Sequence, residues 1–326
     1  MAGDRESTMR ISLEADVSAV LTSPSVSPPP PPPAPVHSIP LGTLTKRQSG
    51  VRPETEDDDH RQVLGSIRRL VEFCLPKRNP ALLPDRSDGD VLSGWYCSLS
   101  LLHTSAVIQE GPSCGFAALC VSAQVLAPRT DLGTDALSPQ GPQNLIDWAK
   151  YQGYTHCGEL FSVDNVAAIL SEHFVCAPAV LPFSDNETIL RRLDADQIFL
   201  VPYDHGPNHE PINKNGHGAH WCIVLGYVKL TNERYNFEEI HVLARHGSSR
   251  RVSLWSLEEL RVSNGNLHQF DPKRRRLGSH WKVDDFDDLS GLRGLCVAVP
   301  VPSGMKGKRR WRVDGSLKDL VSNSLR

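Results

Sequence analysis

The sequence predicts an α+β fold, in which a mainly helical first half precedes a strand-rich second half. Apolar residues recur at helical spacing from Val63 to Cys74. From Ile198 onward the pattern changes to short apolar runs that are typical of strands. No internal repeat interrupts this division, so the 326 residues fit one large or two modest globular domains with a sizeable core.

The helical elements of the first half are marked by caps and breakers. The first helix is expected to end at Pro76, because proline cannot continue a helix from its interior. Ser113 is a suitable N-cap for a second helix. The apolar residues at 145, 148 and 149 indicate a third, and Ser162 and Asp185 are expected to cap two more.

The second half contains a series of apolar runs with the length of strands. The runs are Ile198–Tyr203, Trp221–Val228, Glu239–Ala244, Val252–Trp255 and Leu295–Val299. In the first half, 95–107 is a mostly apolar approach to the turn at Gly111 and Pro112.

Residues 1–60 are expected to form a disordered leader. Six consecutive prolines, Pro28–Pro33, favour an extended polyproline II conformation, which cannot build a packed core. Two interpretations stay open: a plain linker, or a docking site for profilin or another polyproline-binding module such as an SH3 or WW domain. The folded domain is then predicted over residues 61–303, followed by a basic, solvated tail at 304–326.

Composition narrows the class of protein. A net charge of −3 with 22% charged residues gives no field of one sign, so neither a nucleic-acid nor a membrane partner is expected. Eight cysteines occur without a CxxC pair, which argues against a zinc ribbon or a thioredoxin motif. No signal-peptide core or run of eighteen apolar residues is present. We therefore expect a cytoplasmic protein with reduced thiols.

The stretch IQEGPSCGFAALC, from Ile108 to Cys120, carries the strongest indication of chemistry. It places Cys114 at the start of an apolar helix, where the partial positive charge favours the nucleophilic thiolate. Gln109 precedes the turn, and its amide is suitably placed to donate to an oxyanion. The competing interpretation is a small apolar cysteine packed inside a helix.

A second stretch supplies candidate bases. His205, His209, His217 and His220 fall within sixteen residues. His220 stands directly before an apolar strand and is therefore held rigidly, whereas His217 lies between two glycines. His220 is thus the preferred partner of Cys114, the pair acting as thiolate and imidazolium.

The same histidines allow a metal site as an alternative. His209, His217 and His220, with Glu210 or Cys222, are residue types that bind zinc tetrahedrally. However, the HExxH pattern is absent and Pro211 would break the helix that this pattern needs. We therefore expect no metal and no cofactor.

A third catalytic residue is not evident in the sequence. A carboxylate or amide that orients the imidazole is expected near the end of the strand Glu239–Ala244, but Arg245-His246-Gly247 follows it. Asn236 and Asn264 lie before and well after this point. None of them is assigned, and a dyad oriented by a backbone carbonyl stays possible.

Several separated motifs resemble one family. They are IQEGPSCG followed by AAL, GELFSV at 158–163, PYD at 202–204, NHEP at 208–211, GHGAHW at 216–221 and SLWSLEELRVSN at 253–264. Together with the proline-rich leader, they resemble the actin maturation proteases over roughly residues 95–300. The glutamine, the turn and the Cys-Gly step also begin the active site of papain-like cysteine peptidases.

The resemblance implies a papain-like fold, with Cys114 on a helical half and His220 on an antiparallel β half. It implies a cytosolic cysteine aminopeptidase that removes N-acetylated Met or Cys from new actin, with Cys114, His220 and Gln109 at the catalytic positions. Lys214 and Arg245 are candidate contacts for the acidic product chain, although both residue types are more often solvated charges. A non-enzymatic adaptor with a docking arm and a degenerate Cys-His fold is the alternative function.

Overall fold

An eight-stranded sheet, antiparallel at every pairing, forms the centre of the structure. The computed structural model describes residues 55–82, 90–126, 141–276, 280–302 and 310–324. The segment Pro28–Pro33 lies outside these residues. A mixed α+β architecture with an antiparallel sheet confirms the α+β part of the predicted fold class, and the papain-like layout of its two halves stays a prediction.

The strands account for each predicted apolar run and add three others. They are β1 (Trp95–Leu102), β2 (Ala179–Pro182), β3 (Gln197–Asp204), β4 (Ala219–Asn232), β5 (Phe237–His246), β6 (Ser253–Ser256), β7 (Leu295–Pro300) and β8 (Arg310–Ser316). The order across the sheet is β2-β7-β3-β4-β1-β8, with β5 paired to β4 and β6 paired to β5.

The described helices precede, connect and follow these strands. They are α1 (Glu56–Arg69), α2 (Leu75–Arg78), α3 (Cys114–Ala123), α4 (Gly141–Tyr151), α5 (Val163–His173), α6 (Asn186–Asp194), α7 (Leu257–Gly265), α8 (Pro272–Arg275) and α9 (Leu317–Ser324). Short 3-10 turns occur at Pro80–Leu82 and Glu233–Tyr235. In the part of the chain that the structure describes, each helix is too short or too polar to cross a bilayer.

Strand β4 joins three other strands because it is long. Its first residues pair with β3, from Ala219 opposite Asp204, and its later residues pair with β1. Its other edge pairs with β5 over almost its whole length, with a register shift between Val224 and Gly226. His220, at the start of β4, is therefore held by hydrogen-bonded backbone and lies opposite Tyr203 of β3.

Side chains alternate across the sheet and build two apolar layers. Trp221, Ile223 and Leu225 of β4 join the larger cluster, which includes residues of α3, α4 and α5. Cys222 and Val224 join the second cluster, which includes residues of α6 and α7. Both faces of β4 are thus covered, which explains its nearly continuous apolar sequence.

Helix caps agree with the sequence at two of three positions. The side chain of Ser162 accepts the amide of Asn165, and that of Asp185 accepts the amides of Glu187 and Thr188, which confirms both predictions. Ser113 occupies the N-cap position of α3 but makes no capping bond. Its hydroxyl instead donates to the carbonyl of Glu110, 2.8 Å away, and closes the turn before α3.

The first helix differs from its prediction at both ends. It begins at Glu56, so that acidic residues of the predicted leader form its first turn, where the helix dipole favours them. Pro76 does not end the helical segment, which continues through a π turn at Leu70–Cys74 into α2. Pro76 is tolerated because it lies in the first turn of α2, where an amide hydrogen is not required.

The predicted solvated tail is also corrected in part. Arg310–Ser316 forms β8, which pairs with β1, and α9 follows it. In β8, Trp311 and Val313 alternate with Arg310 and Arg312. Both apolar side chains are half-buried, and Trp311 packs against the larger apolar cluster. The division of the chain at residues 60 and 303 into domains stays a prediction.

A buried ion pair connects α1 to the end of β5. Arg245 is 1% exposed, and its Nη2 donates to both carboxylate oxygens of Asp59, at 2.9 and 2.7 Å. The Nδ1 atom of His103 lies 2.7 Å from the same carboxylate. A second nitrogen of Arg245 donates to the carbonyl of Arg250, which anchors the loop after β5.

We predict that Arg245→Met lowers the free energy of unfolding by about 3–5 kcal/mol, because it leaves a buried carboxylate without its charged partner. Urea denaturation followed by circular dichroism measures this change. The control is Arg68→Ala, which removes an exposed pair with Glu72 and should cost about 0.5 kcal/mol or less. Equal losses in the two variants would contradict a structural role for the Asp59–Arg245 pair.

Candidate active site

A cavity of about 400 Å³ opens where α3 and β4 begin. Gln109, Cys114 and His220, the three residues selected from the sequence, all line it. The remaining lining is mixed, with apolar, aromatic and charged members. They include Glu159, Leu160, Phe161, His205, His209, Trp221, Ser248, Arg274, Trp281 and Leu292.

Cys114 lies at the first position of α3, as the sequence predicts. Gly115, directly after it, allows a close approach, because a Cβ there would lie 2.9 Å from a methyl carbon of Leu160 and 3.3 Å from the Trp221 ring. The backbone amides of Trp221 and Gly115 act to lower the pKa of the Cys114 thiol. The helix start is therefore pressed against the beginning of β4.

His220 is buried and has a partner at each ring nitrogen. Its Nδ1 accepts the amide hydrogen of Trp221 at 2.8 Å and also lies 3.1 Å from the Trp221 carbonyl oxygen. Nε2 lies 3.2 Å from the hydroxyl oxygen of Ser248, and the tautomer of the ring decides which of the two groups donates. The ring of Tyr203 stacks on His220 with centroids 5.7 Å apart.

Desolvation controls the protonation of this pair. Burial raises the pKa of the Cys114 thiol, and the amides of Trp221 and Gly115 and the charge of Arg274 only partly oppose it. Burial also lowers the pKa of His220 to about 4. Near pH 7 both side chains are therefore neutral. The resting thiolate and imidazolium expected from the helix start are not supported, because removal from water disfavours both charged forms.

Gln109 is held against the loop that follows β5. Its amide hydrogen bonds the carbonyl of Gly247 at 2.8 Å, and its side-chain amide donates to the carbonyl of Gly111 at 3.0 Å. A Cβ at position 247 would lie 2.5 Å from the Gln109 side-chain oxygen and 3.0 Å from Cβ of Ala117. Only glycine at this position leaves Gln109 where it is.

The histidine-rich loop between β3 and β4 is folded around one carboxylate. Asp204 is fully buried and accepts the amide hydrogens of Lys214, Gly216 and Gly218, at 2.8, 2.7 and 2.8 Å. These bonds replace strand pairing in a segment rich in glycine. They return the chain to His220 in a defined position.

The group of histidines that the structure brings together differs from the zinc site suggested by the sequence, which used His209, His217 and His220. His217 bonds the side chain of Gln269, with the two nitrogens 2.8 Å apart. Instead, His246 at the end of β5 lies with His209 and His220, and one nitrogen of each ring is within 4.8 Å of the others. Sequence spacing missed His246 because it comes from another strand.

Lys214 and Arg245, the two cations that the sequence suggested as contacts for the acidic product chain, both have partners within the protein. Arg245 is buried and bonded to Asp59, so it is not a contact for a product chain. Lys214 donates to the carbonyl of His205 at 3.2 Å and closes its own loop. The cation that lines the cavity is Arg274, whose guanidinium lies 6.0 Å from the centre of the Trp281 ring. Its charge acts to lower the pKa of both Cys114 and His220.

Like His246 and Arg274, Ser248 and Glu159 at the site were missed in the sequence. Ser248 contacts His220 from the loop after β5, where a carboxylate or an amide was expected. Glu159, in the GELFSV motif, accepts the amides of His156, Cys157 and Lys282. It thereby brings the segment with Trp281 to the cavity wall. Asn264 donates to two backbone carbonyls and has a structural position away from His220.

Comparisons with known proteins all identify actin maturation proteases as similar to this chain. Residues 104–228 match the family model described as "Actin maturation protease-like, C-terminal domain". An actin maturation protease of Xenopus tropicalis is 31% identical over 223 residues, covering 60% of this chain and 71% of the relative. One from Danio rerio is 29% identical over 232 residues, covering 60% and 72%. One from Drosophila melanogaster is 36% identical over 170 residues, covering 51% and 57%. No solved structure matches the chain.

We predict that Asp204→Ala lowers the free energy of unfolding by at least about 2 kcal/mol, because three amides lose a charged acceptor inside the protein. Denaturation measures the loss, and trypsin should cut faster at Lys214. The control, Asp185→Ala, removes an exposed cap with two amide bonds and should cost about 1 kcal/mol without exposing Lys214. Unchanged proteolysis in Asp204→Ala would show that another contact folds the loop.

Proposed function

Because this chain belongs to the actin maturation protease family, we propose that it is a cysteine peptidase that removes the N-acetylated first residue of immature actin. Cys114 is the nucleophile and His220 is the base. One observation carries the proposal: both residues line the same cavity, Cys114 at the start of α3 and His220 at the start of β4. The names of the relatives support actin as the substrate.

The neutral resting pair supports a mechanism in which charge is created only during attack. As the Cys114 sulfur bonds to the carbonyl carbon, its proton moves to the imidazole of His220. The imidazolium then gives this proton to the departing amine of actin. Water hydrolyses the remaining thioester, which releases the acetylated amino acid and restores the thiol.

Donors around the cavity support stabilisation of the tetrahedral intermediate. The side-chain amide of Gln109 uses one hydrogen on the carbonyl of Gly111 and has a second one to offer. The first amides of α3 add the positive end of the helix dipole. The Gly247 contact supports the position of Gln109.

Ser248 is proposed as the residue that orients His220. With Nδ1 directed at the Trp221 amide, Nε2 needs an acceptor on the opposite side of the ring, and the Ser248 hydroxyl is 3.2 Å away. This hydroxyl takes the role that an asparagine or aspartate has in papain-like peptidases. A neutral acceptor stabilises an imidazolium less than a carboxylate does, in agreement with the low pKa of His220.

The cavity also supports recognition of one capped residue and the acidic chain that follows it. Leu160, Phe161, Trp281 and Leu292 offer an apolar wall for a Met or Cys side chain. Arg274 is a cation on the same wall. Its guanidinium would pair with the acidic residue on the leaving side. Docking of profilin or another partner at Pro28–Pro33 stays a prediction.

We predict that Cys114→Ala abolishes cleavage of an N-acetylated actin peptide while the far-ultraviolet circular dichroism is unchanged. Intact-mass analysis of actin from cells that lack this protein should show the uncleaved, acetylated form. Iodoacetamide should inactivate the enzyme, whereas EDTA should not. Because burial raises the Cys114 pKa, its alkylation rate should still increase with pH above the ordinary thiol value of about 8.5.

Near-normal cleavage by Cys114→Ala would overturn the nucleophile assignment and favour the adaptor function. Loss of activity in EDTA, restored by zinc, would favour a zinc-dependent hydrolase instead.

We predict that Ser248→Ala lowers kcat about fivefold with little change in KM, since one hydrogen bond to the base, worth about 1 kcal/mol, is lost. Ser248→Thr, which keeps the hydroxyl, should retain most of the rate. Steady-state kinetics on the acetylated peptide measure both. The assignment fails if alanine and threonine behave alike, or if KM alone changes.

We predict that Arg274→Gln reduces kcat/KM about fivefold for a peptide with an acidic residue after the cleaved bond, equivalent to about 1 kcal/mol. A peptide with the neutral amide at that position should be affected much less. The ratio of the two peptides removes any effect of Arg274 on Cys114 itself. Lys214→Gln, from the neighbouring loop, is the control and should leave the ratio unchanged.

A further inference from the structure

Three imidazoles from three separate segments meet beside the cavity. His209 comes from the loop after β3, His220 from the start of β4 and His246 from the end of β5. One nitrogen of each ring lies within 4.8 Å of the other two. Small side-chain rotations would close these separations to the roughly 3.4 Å expected between two nitrogens bound to one tetrahedral zinc ion.

The backbone of His209 is held in an uncommon conformation that brings its ring to this group. Its φ is +65°, in the left-handed region that non-glycine residues seldom adopt. The hydroxyl of Tyr203 donates to the His209 carbonyl at 3.0 Å and stabilises this conformation. Strain of this kind is typical of functional positions.

The His209 ring also lacks a hydrogen bond at one of its nitrogens. Its Nδ1 atom is buried and has no hydrogen-bond partner in the structure. A buried polar atom without a partner costs about 1–3 kcal/mol. A metal ion that accepts the lone pair of this nitrogen would remove the cost, and one ring nitrogen of His220 and one of His246 lie within 4.8 Å of one on His209.

The other two rings are positioned by stacking on aromatic side chains. His246 stacks on Trp255 with centroids 5.5 Å apart, and His220 stacks on Tyr203 at 5.7 Å. The group holds no carboxylate, which disfavours magnesium and calcium, whereas imidazole suits zinc.

We propose that His209, His220 and His246 form an inhibitory site for a zinc ion. His209 and His220 contact the ion from the cavity, and His246 completes the set from the sheet. The binding itself stands on the geometry alone. The inhibition rests on the proposed function, since a zinc ion on His220 removes the base that Cys114 needs.

The experiment measures zinc binding independently of activity. Isothermal titration calorimetry with zinc chloride uses full-length Cys114→Ala, so that the thiol is not a ligand. We expect one tight site. His209→Ala in the same background should weaken it more than about tenfold, because even the loss of residues that only orient a ligand costs 10- to 100-fold. His217→Ala is the matched control from the same loop and should bind zinc as the parent does.

A second variant, His246→Asn, tests the same site independently, so that misfolding of one variant does not decide the result. His209 is half-buried and should tolerate alanine, whereas His246 is 5% exposed, so His246→Asn is used and its fold is checked by circular dichroism. Both variants should weaken binding. Unchanged affinity in folded His209→Ala and His246→Asn would overturn the site, and so would tight binding that needs the Cys114 thiol.

The inhibitory part has its own readout. Zinc should inhibit the wild-type peptidase, EDTA should reverse the inhibition, and His209→Ala should need at least tenfold more zinc. If the protein cleaves no actin peptide, the calorimetry still decides the metal site and the proposed function alone fails. If zinc binds as described but leaves turnover unchanged, the inhibitory role is wrong.

Discussion

Strand β4 is the constraint on which the rest of the structure depends. It pairs with β3 and β1 along one edge and with β5 along the other. Its two faces are buried by different helices, so a shift of one residue would exchange the Trp221 and Cys222 layers and expose neither to water. The register of β4 is therefore specified by the shapes of the buried side chains on its two faces and by the buried polar residues at the start of the strand. One of these is His220.

The site at the start of β4 is shaped by exclusion of water more than by charge. The same burial that raises the pKa of Cys114 lowers that of His220, and it gathers neutral imidazoles beside them. Under the proposed function, a neutral pair would protect the thiol from alkylation and oxidation until a substrate is bound. A serine hydroxyl would then be sufficient as the partner of His220. The proposed control by zinc would use imidazoles of the same site.

Local patterns in the sequence predicted most of the elements, because hydrophobic periodicity and capping act over a few residues. The five strand-like runs of the second half and the caps at Ser162 and Asp185 correspond to observed elements. One prediction failed because a distant contact decides the outcome: Trp311 and Val313 lie in a basic segment, which becomes a strand because β1 gives it a partner. The start of α1 was missed for a local reason, since a capping box between Thr55 and Asp58 begins the helix at the acidic stretch.

The sequence by itself determined that Cys114 begins an apolar helix, that His220 begins an apolar strand, and that the family motifs surround both. Tertiary structure alone decided which other residues join them. Ser248 and His246 come from the end of β5, Arg274 comes from α8, and Arg245 is withdrawn from the site by Asp59 of α1. The reason is physical: spacing along the chain records local geometry, whereas hydrogen-bond partners and desolvation depend on what the folded backbone brings alongside.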